Sequence, residues 1–481
     1  MEALDVLIIG AGISGIGMAC HLKQKCPDQK YAILEGRENF GGTWDLFKYP
    51  GIRSDSDMYT FGYSFRPWTN GADIASAESI REYLDETATE YGVHENIRYS
   101  HRVEKLQWNS KEACWFVHYR HKGGEEQILK TRFLVTCTGY YNYEKGYLPE
   151  FPGYENFNGL KVHPQQWPED LDYKDKQVLI IGSGATAVTL VPSMADEAAH
   201  VTMLQRSPTY VFTRPARDPI AKWLHKFTPD SWAHYLTRAK NIFLSWYIFS
   251  KSKRSPDGVR QYLRDMVKGE VGDSVDVDVH FNPSYNPWDQ RMCLVPDSDL
   301  FKCLKEGKAS IVTDHIETFT ENGVQLKSGE SIDADIIVPA TGLDLQFLGG
   351  IDLYKDDQKI ESGELVNYKG MMFANLPNMV SVFGYTNASW TLKADLTSDY
   401  VCRLIKHMKT TGRKQVMPKL DLNGFAQSPM IDSLKSGYIS RAESIMPKQG
   451  EGYPWRNQDN YYRDYFAIRH GKLEDGVLEF V

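Results

Sequence analysis

Asp5-Val6-Leu7-Ile8-Ile9-Gly10-Ala11-Gly12-Ile13-Ser14-Gly15 is the stretch whose reading decides the fold. Its apolar run reads as a strand covered on both faces, as in a parallel sheet. The glycines at 10, 12 and 15 make a GxGxxG turn. Gly10 permits the tight bend, Gly12 lets a pyrophosphate approach the backbone, and Gly15 lets a helix pack close to the strand. That helix runs through Ile16 to Leu22, and a second strand, Tyr31 to Leu34, ends at Glu35. Glu35 lies 20 residues past Gly15, where an acid accepts hydrogen bonds from an adenosine ribose. GxGxxG alone is weak. The agreement of strand, glycines, helix and acid favours a nucleotide site over a merely structural βαβ unit.

The pattern returns downstream. Val178 to Ile181 leads into Gly182-Ser183-Gly184-Ala185-Thr186-Ala187, with Ala187 in place of the third glycine. This departure suits sites that prefer NADP. The next strand, Val201 to Gln205, ends not in a carboxylate but in Gln205 followed by Arg206 and Ser207. No acid claims the ribose 2′-hydroxyl, and a guanidinium stands ready for a 2′-phosphate, so the reading is NADPH rather than NADH. A solvated strand-end Arg206 is the bland alternative.

The expected fold class is α/β, with two dinucleotide-binding (Rossmann-like) domains. Residues 1–148 form the first part of one domain and 149–212 the first part of the other. Residues 213–290 are a helical insertion, 291–339 complete the second domain, and 340–481 complete the first. Two apolar strands end alike in Thr-Gly, at Thr138-Gly139 and Thr341-Gly342.

Composition narrows the function. With 481 residues, 42% hydrophobic and 25% charged, the chain is long enough to bury a large core without staples. A net charge of −8 with no basic stripe argues against nucleic acid as a partner. The seven cysteines form no CxxC, which leaves no dithiol centre or zinc ribbon, and no metal is expected. The start shows no basic and apolar leader, and the longest apolar run, Ile242 to Phe249, is too short to span a bilayer. The expectation is a cytoplasmic protein with no transmembrane segment.

In the insertion, Trp223, Trp232, Trp246, Phe227, Phe243 and Phe249 recur at loosely helical spacing. A helical subdomain burying an aromatic stripe is the bland reading. Ile242 to Phe249 followed by Lys251, Lys253 and Arg254 is the sharper one, a weak peripheral membrane contact. Val275 to Val279 alternates as a half-solvated strand edge would.

Two further stretches carry specific motifs. Gly41 to Asp55 reads GGTWDLFKYPGIRSD, with more aromatics than a solvated loop needs. Trp44, Phe47 and Tyr49, just past an adenosine site, suggest a wall around a flat ring. Phe157 to Pro168 reads FNGLKVHPQQWP and joins the two nucleotide units. The first stretch resembles the GGxWxxxxYPGxxxD signature of flavin-dependent Baeyer–Villiger monooxygenases. The second resembles that family's FxGxxxHxxxWP fingerprint, with Phe157, Gly159, His163, Trp167 and Pro168 at its fixed positions. The HFNPSYNPWDQR run ending at Arg291 resembles the ethionamide-activating branch, although Gln290 stands where many members carry a cation.

The resemblance implies FAD at the first turn, lined by Ser14, Glu35, Thr43, Trp44, Asp45, Leu46, Asp55 and Val103. It places Arg53 and Ser54 with Ser207 and Arg206 at NADP. It implies Arg291 as the catalytic cation, paired with Asp55, and His163 as a hinge anchor between the domains. His280 reads as structural. The implied reaction uses NADPH and O₂ to convert ketones to esters or lactones through a C4a-peroxyflavin, with sulfoxidation as a side activity. The alternatives are an N- or S-oxygenating flavin monooxygenase, a plain NADPH oxidase and a non-catalytic flavin sensor. Trp167 and Pro168 favour ester formation over N-oxygenation. Ketone or sulfide identity and oligomeric state have no sequence signature.

Overall fold

The computed structural model describes residues 1–69 and 72–481. Strand Ala3–Ile9 lies inside a nine-stranded sheet, parallel to Tyr31–Leu34 on one side and Glu126–Thr136 on the other. Val6 and Ile8 feed one hydrophobic core, whereas Leu7 and Ile9 feed the core on the opposite face. This is why the run is apolar without alternation. Each such side chain contributes about 1.5–3 kcal/mol on full burial. Helices Ile13–Lys25, Ala77–Glu90 and Trp390–Thr411 cover the first face.

Strands His101–Asn109, Cys114–His121 and Glu126–Thr136 meander antiparallel across one half of this sheet. The C-terminal third of the chain then returns to it. Met379–Ser381 runs parallel to Glu126–Thr136, and Asp352–Lys355 runs parallel to His101–Asn109.

The second sheet has five strands, all parallel, in the order Ala309–Thr313, His200–Gln205, Gln177–Ile181, Ile336–Pro339, Leu160–Lys161. Between the sheets the chain crosses twice, and the crossings pair with each other. Tyr141 bridges Leu345, the Asn142 N–H donates to the Asp344 carbonyl (2.9 Å), and the Gln346 N–H donates to that of Tyr140 (3.0 Å).

The insertion comprises helices Pro219–Phe227, Asp230–Arg254, Pro256–Val271 and Val277–His280. Its two ends are tied by a parallel pair, Val211–Arg214 with Cys293–Pro296. Two sequence expectations fail here. Val275 to Val279 is no strand edge: the Asp276 carboxylate accepts from the Asp278 and Val279 N–H groups and caps a helical turn. Nor is the aromatic stripe buried. Trp223 is 59% exposed, Phe227 62% and Trp232 62%. The long helix turns its polar side inward instead.

Candidate active site

At the first turn, Gly10 has φ +99°, and a Cβ there would meet the Cys137 carbonyl oxygen at 2.5 Å. A Cβ on Gly15 would meet the Gly10 carbonyl oxygen at 1.9 Å, so helix and strand touch backbone to backbone. Gly12 faces Gly42, whose Cα would lie 3.6 Å from an added Cβ. The two glycine stretches thus oppose each other with no side chain between them. Glu35 is buried at the strand end, its carboxylate accepting from the N–H groups of Ala11 (2.7 Å) and Arg37 (2.9 Å). Burial raises its pKa, and the two N–H donors pull it back. Ser14 Oγ accepts from Trp390 Nε1 at 2.8 Å.

The loop after Gly42 begins with the short helix Thr43–Leu46. Asp45 is buried among three cations: Arg37 at 2.9 Å, Arg81 at 3.2 Å and Lys48 at 3.7 Å. Its carboxylate therefore organises the loop. Trp44 stands edge-on to Phe61 at 5.6 Å and stays partly exposed. Phe47 and Tyr49 depart from the sequence expectation of a ring wall. Both are buried, and with partly buried Leu46 they pack into the core of the second unit. Gly51 has φ +73°, and a Cβ there would meet Ser193 Oγ at 1.8 Å. The loop is thus pressed onto helix Ala185–Met194, and its aromatics anchor one unit to the other. Val103 is buried next to a bulge in its strand. Ser54 is also buried, with its hydroxyl donating to the Ser56 carbonyl.

The second turn repeats the first. Gly182 has φ +142°, and a Cβ would meet the Ala340 carbonyl oxygen at 2.3 Å. Gly184 has open space in front of it, and Ala187 is fully buried. An alanine thus fits at 187 where the first turn has room only for Gly15. Ser183 Oγ donates to the Ser207 carbonyl at 3.2 Å. Arg206 is exposed and has no carboxylate partner among the described residues. Gln205 turns inward, donating to the His280 carbonyl and to Thr313 Oγ1, both at 2.8 Å. His280 Nδ1 also bonds Thr313 Oγ1 at 2.8 Å. Arg53 pairs through Nη1 with Asp299 at 2.5 Å, while its buried Nη2 lacks a partner among the described residues.

Arg291 meets Asp55 at the border of the units, Nε to Oδ2 3.2 Å. Its side chain is 38% exposed, so one side of the guanidinium stays open. The Asp55 charge raises the Arg291 pKa further, against the opposing effect of burial, and Tyr140, Tyr438 and Tyr141 stand nearby. The cation is permanent. Tyr140 stacks on Trp390 at 5.3 Å, and its hydroxyl bonds that of Tyr141 at 2.9 Å. These aromatic neighbours escaped the sequence reading because they come from three separate segments. Only the clustering of tyrosines after Gly139 hints at them.

The Phe157 to Pro168 stretch lies against a crossing. Gly159 has no room for a Cβ: Phe157 Cζ would be at 2.3 Å and the Asp335 carbonyl oxygen at 2.5 Å. Phe157 and Trp167 are buried in different cores, and Pro168 is exposed. His163 Nδ1 accepts from the Gln165 N–H (3.2 Å), and Gln165 donates to the Asn142 carbonyl (2.7 Å). The His163 ring rests on Gly146, where a Cβ would meet Cε1 at 1.9 Å. Burial lowers the His163 pKa, so the ring is neutral at pH 7.

Both turns fit dinucleotides, with backbone bare of side chains at each and, at the second, the exposed Arg206 guanidinium. Two nucleotide units joined by paired crossings, with a fixed cation at their border, define a two-dinucleotide oxidoreductase architecture. A family model described as flavin-binding monooxygenase-like matches residues 3–221. MymA of Mycobacterium tuberculosis, named as an FAD-containing monooxygenase, is 50% identical over 484 residues, spanning 100% of this chain and 98% of its own. EthA of the same species, an FAD-containing monooxygenase, is 48% identical over 480 residues, with coverage of 100% and 98%. An oxidized steroid monooxygenase bound to NADP shares the fold, with a TM-score of 0.78 at 19% identity over the whole of both chains. The chain belongs to the flavin-binding monooxygenase-like family.

Proposed function

We propose that this protein is an FAD- and NADPH-dependent Baeyer–Villiger monooxygenase that converts ketones to esters or lactones with O₂, and oxidises sulfides as a side activity. The observation that carries the reading is the Arg291–Asp55 pair, a permanent cation with one open side at the junction of two nucleotide turns. The relatives' names and the matching steroid monooxygenase fold support the cofactors and the reaction class.

FAD would lie along Gly10, Gly12, Ser14 and Gly15, with Glu35 taking the ribose and the segment Thr43 to Leu46, Asp55 and Val103 around it. When bound, it supplies reduction by NADPH and activation of O₂. NADPH would lie on the turn Gly182 to Ala187, with Arg206 and Ser207 at the 2′-phosphate and Arg53 and Ser54 at its far side. Arg53 has a buried nitrogen still to be satisfied, which suits an anionic ligand.

Arg291 would face the ketone oxygen as it gains negative charge during addition. A cation already held in position stabilises that charge without having to reorganise during the reaction. Asp55 holds that guanidinium in one orientation through a charge-assisted pair. Residues 1–148 with 340–481 would hold FAD, 149–212 with 291–339 would hold NADP, and 213–290 would be inserted. The Phe157 to Pro168 segment acts as the joint, with His163 as its anchor.

Product analysis over a ketone panel tests the proposal. Arg291→Ala should still be reduced by NADPH at near wild-type rate but yield at least about a hundredfold less ester, with hydrogen peroxide released instead. Ester formation at wild-type rate in that variant would remove Arg291 from the chemistry. A wild-type protein that makes only hydrogen peroxide from every ketone would be an NADPH oxidase.

A further inference from the structure

Helix Asp230–Arg254 is inside out. Its buried face carries His234, Thr237, Arg238 and Asn241. Arg238 Nη1 donates to the carbonyls of Tyr59 (2.6 Å) and Gly62 (2.9 Å), and Asn241 Nδ2 donates to Asp57 Oδ1 (2.8 Å). The solvent face is the apolar one, with Trp232 62% exposed, Tyr235 66%, Phe243 49% and Tyr247 47%. The preceding helix, Pro219–Phe227, adds Trp223 and Phe227, whose rings lie 5.2 Å apart. A helix on a globular protein normally hides such residues. Here the inward polar bonds fix the rotation, so the aromatics are held outward.

Charge identifies what they meet. Between Pro219 and Arg254 the chain has seven Lys and Arg against one acid, Asp230, in a protein of net charge −8. Lys222, Lys226, Lys251 and Arg254 are exposed with no carboxylate partner among the described residues. Exposed Trp and Tyr mixed with unpaired Lys is the chemistry of a helix lying in a lipid headgroup layer. The rings sit at the acyl boundary and the ammonium groups reach anionic phosphates. A second copy fits less well, because a two-fold contact would set this cationic patch against itself. No helix among the described residues is long and apolar enough to cross a membrane, so the contact lies on the surface.

We propose that helices Pro219–Phe227 and Asp230–Arg254 form a docking face for an anionic lipid surface.

The test is co-sedimentation of the holoprotein with phosphatidylcholine vesicles, with and without phosphatidylglycerol. Binding is expected only to the anionic vesicles, and added salt should weaken it. Replacing Phe243→Ser with Tyr247→Ser should abolish it. The triple change Lys222→Gln, Lys226→Gln, Lys251→Gln touches only exposed side chains. It should lower partitioning on the order of a hundredfold, about fivefold per lysine, with NADPH oxidation in free solution unchanged. Wild-type protein left in the supernatant overturns the proposal, as does undiminished binding by the triple variant. So does an apolar double variant that changes a dimer to a monomer by light scattering while vesicle binding persists.

Discussion

At the residue scale, the two glycine turns were legible because each glycine answers a local demand. Gly15 must be bare because Gly10's carbonyl lies where its Cβ would be, and the sequence spacing alone implies that contact. Arg206 was legible for a different reason. It follows a strand end directly, so its position is set by the strand and not by packing. It remains exposed and unpaired by any carboxylate among the described residues. Arg206→Ala should raise the KM for NADPH by roughly ten- to a hundredfold, the loss of a charge-assisted pair, and leave the KM for NADH nearly unchanged. Equal losses with both cofactors, in steady-state assays of each, would remove the phosphate role. The loop aromatics were misread because a local motif does not say which body a side chain enters. Phe47 and Tyr49 follow the first glycine turn in sequence but belong to the second core in space.

At the element scale, the strands buried on both faces read correctly because such a strand needs an unbroken apolar run. Helix Asp230–Arg254 did not, since its polar side is the buried one. His234 lies on that side, beside the Tyr59 ring at 5.4 Å. Burial, aided by Arg238 and His225 and opposed by Asp57, lowers its pKa to about 4. The folded state therefore binds its proton less readily than the unfolded chain, whose histidine titrates near 6.5. The stabilisation is complete above that value and is lost as pH falls toward 4. Between pH 7 and 5, the thermal midpoint of wild-type protein should fall by roughly 2–4 °C more than that of His234→Gln. Parallel melting curves across that range give the comparison; identical slopes would show that His234 does not contribute.

At the scale of the whole molecule, the discontinuous layout follows from the paired crossings. Strands formed by residues 352–381 join a sheet begun by residues 3–136, so the first unit cannot be complete until the second has been threaded through. The Phe157 to Pro168 segment touches this junction through Gln165 on the Asn142 carbonyl, Gln166 on the Glu144 carbonyl and the His163 ring on Gly146. A methyl group at 146 must displace the ring. Gly146→Ala should slow NADPH-driven flavin reduction by about ten- to a hundredfold, with both cofactors still bound. His163→Ala should do the same, and the double variant should be no slower than either one. Stopped-flow absorbance reads all three, and additive losses would separate the two residues.

The sequence by itself determined both nucleotide units and the family. Backbone turns, buried strands and strand-end charges are set by neighbours within a few positions, so they leave local patterns. Only the tertiary structure decided where the aromatics go. It drew Phe47 and Tyr49 into the second core and pushed Trp232, Tyr235, Phe243 and Tyr247 outward. It also gathered Tyr140, Trp390 and Tyr438 toward Arg291. The physical reason is that burial is a competition among distant surfaces. Arg238 and Asn241 win the inward face of their helix through bonds to residues 57–62, and the apolar side chains take the face that remains.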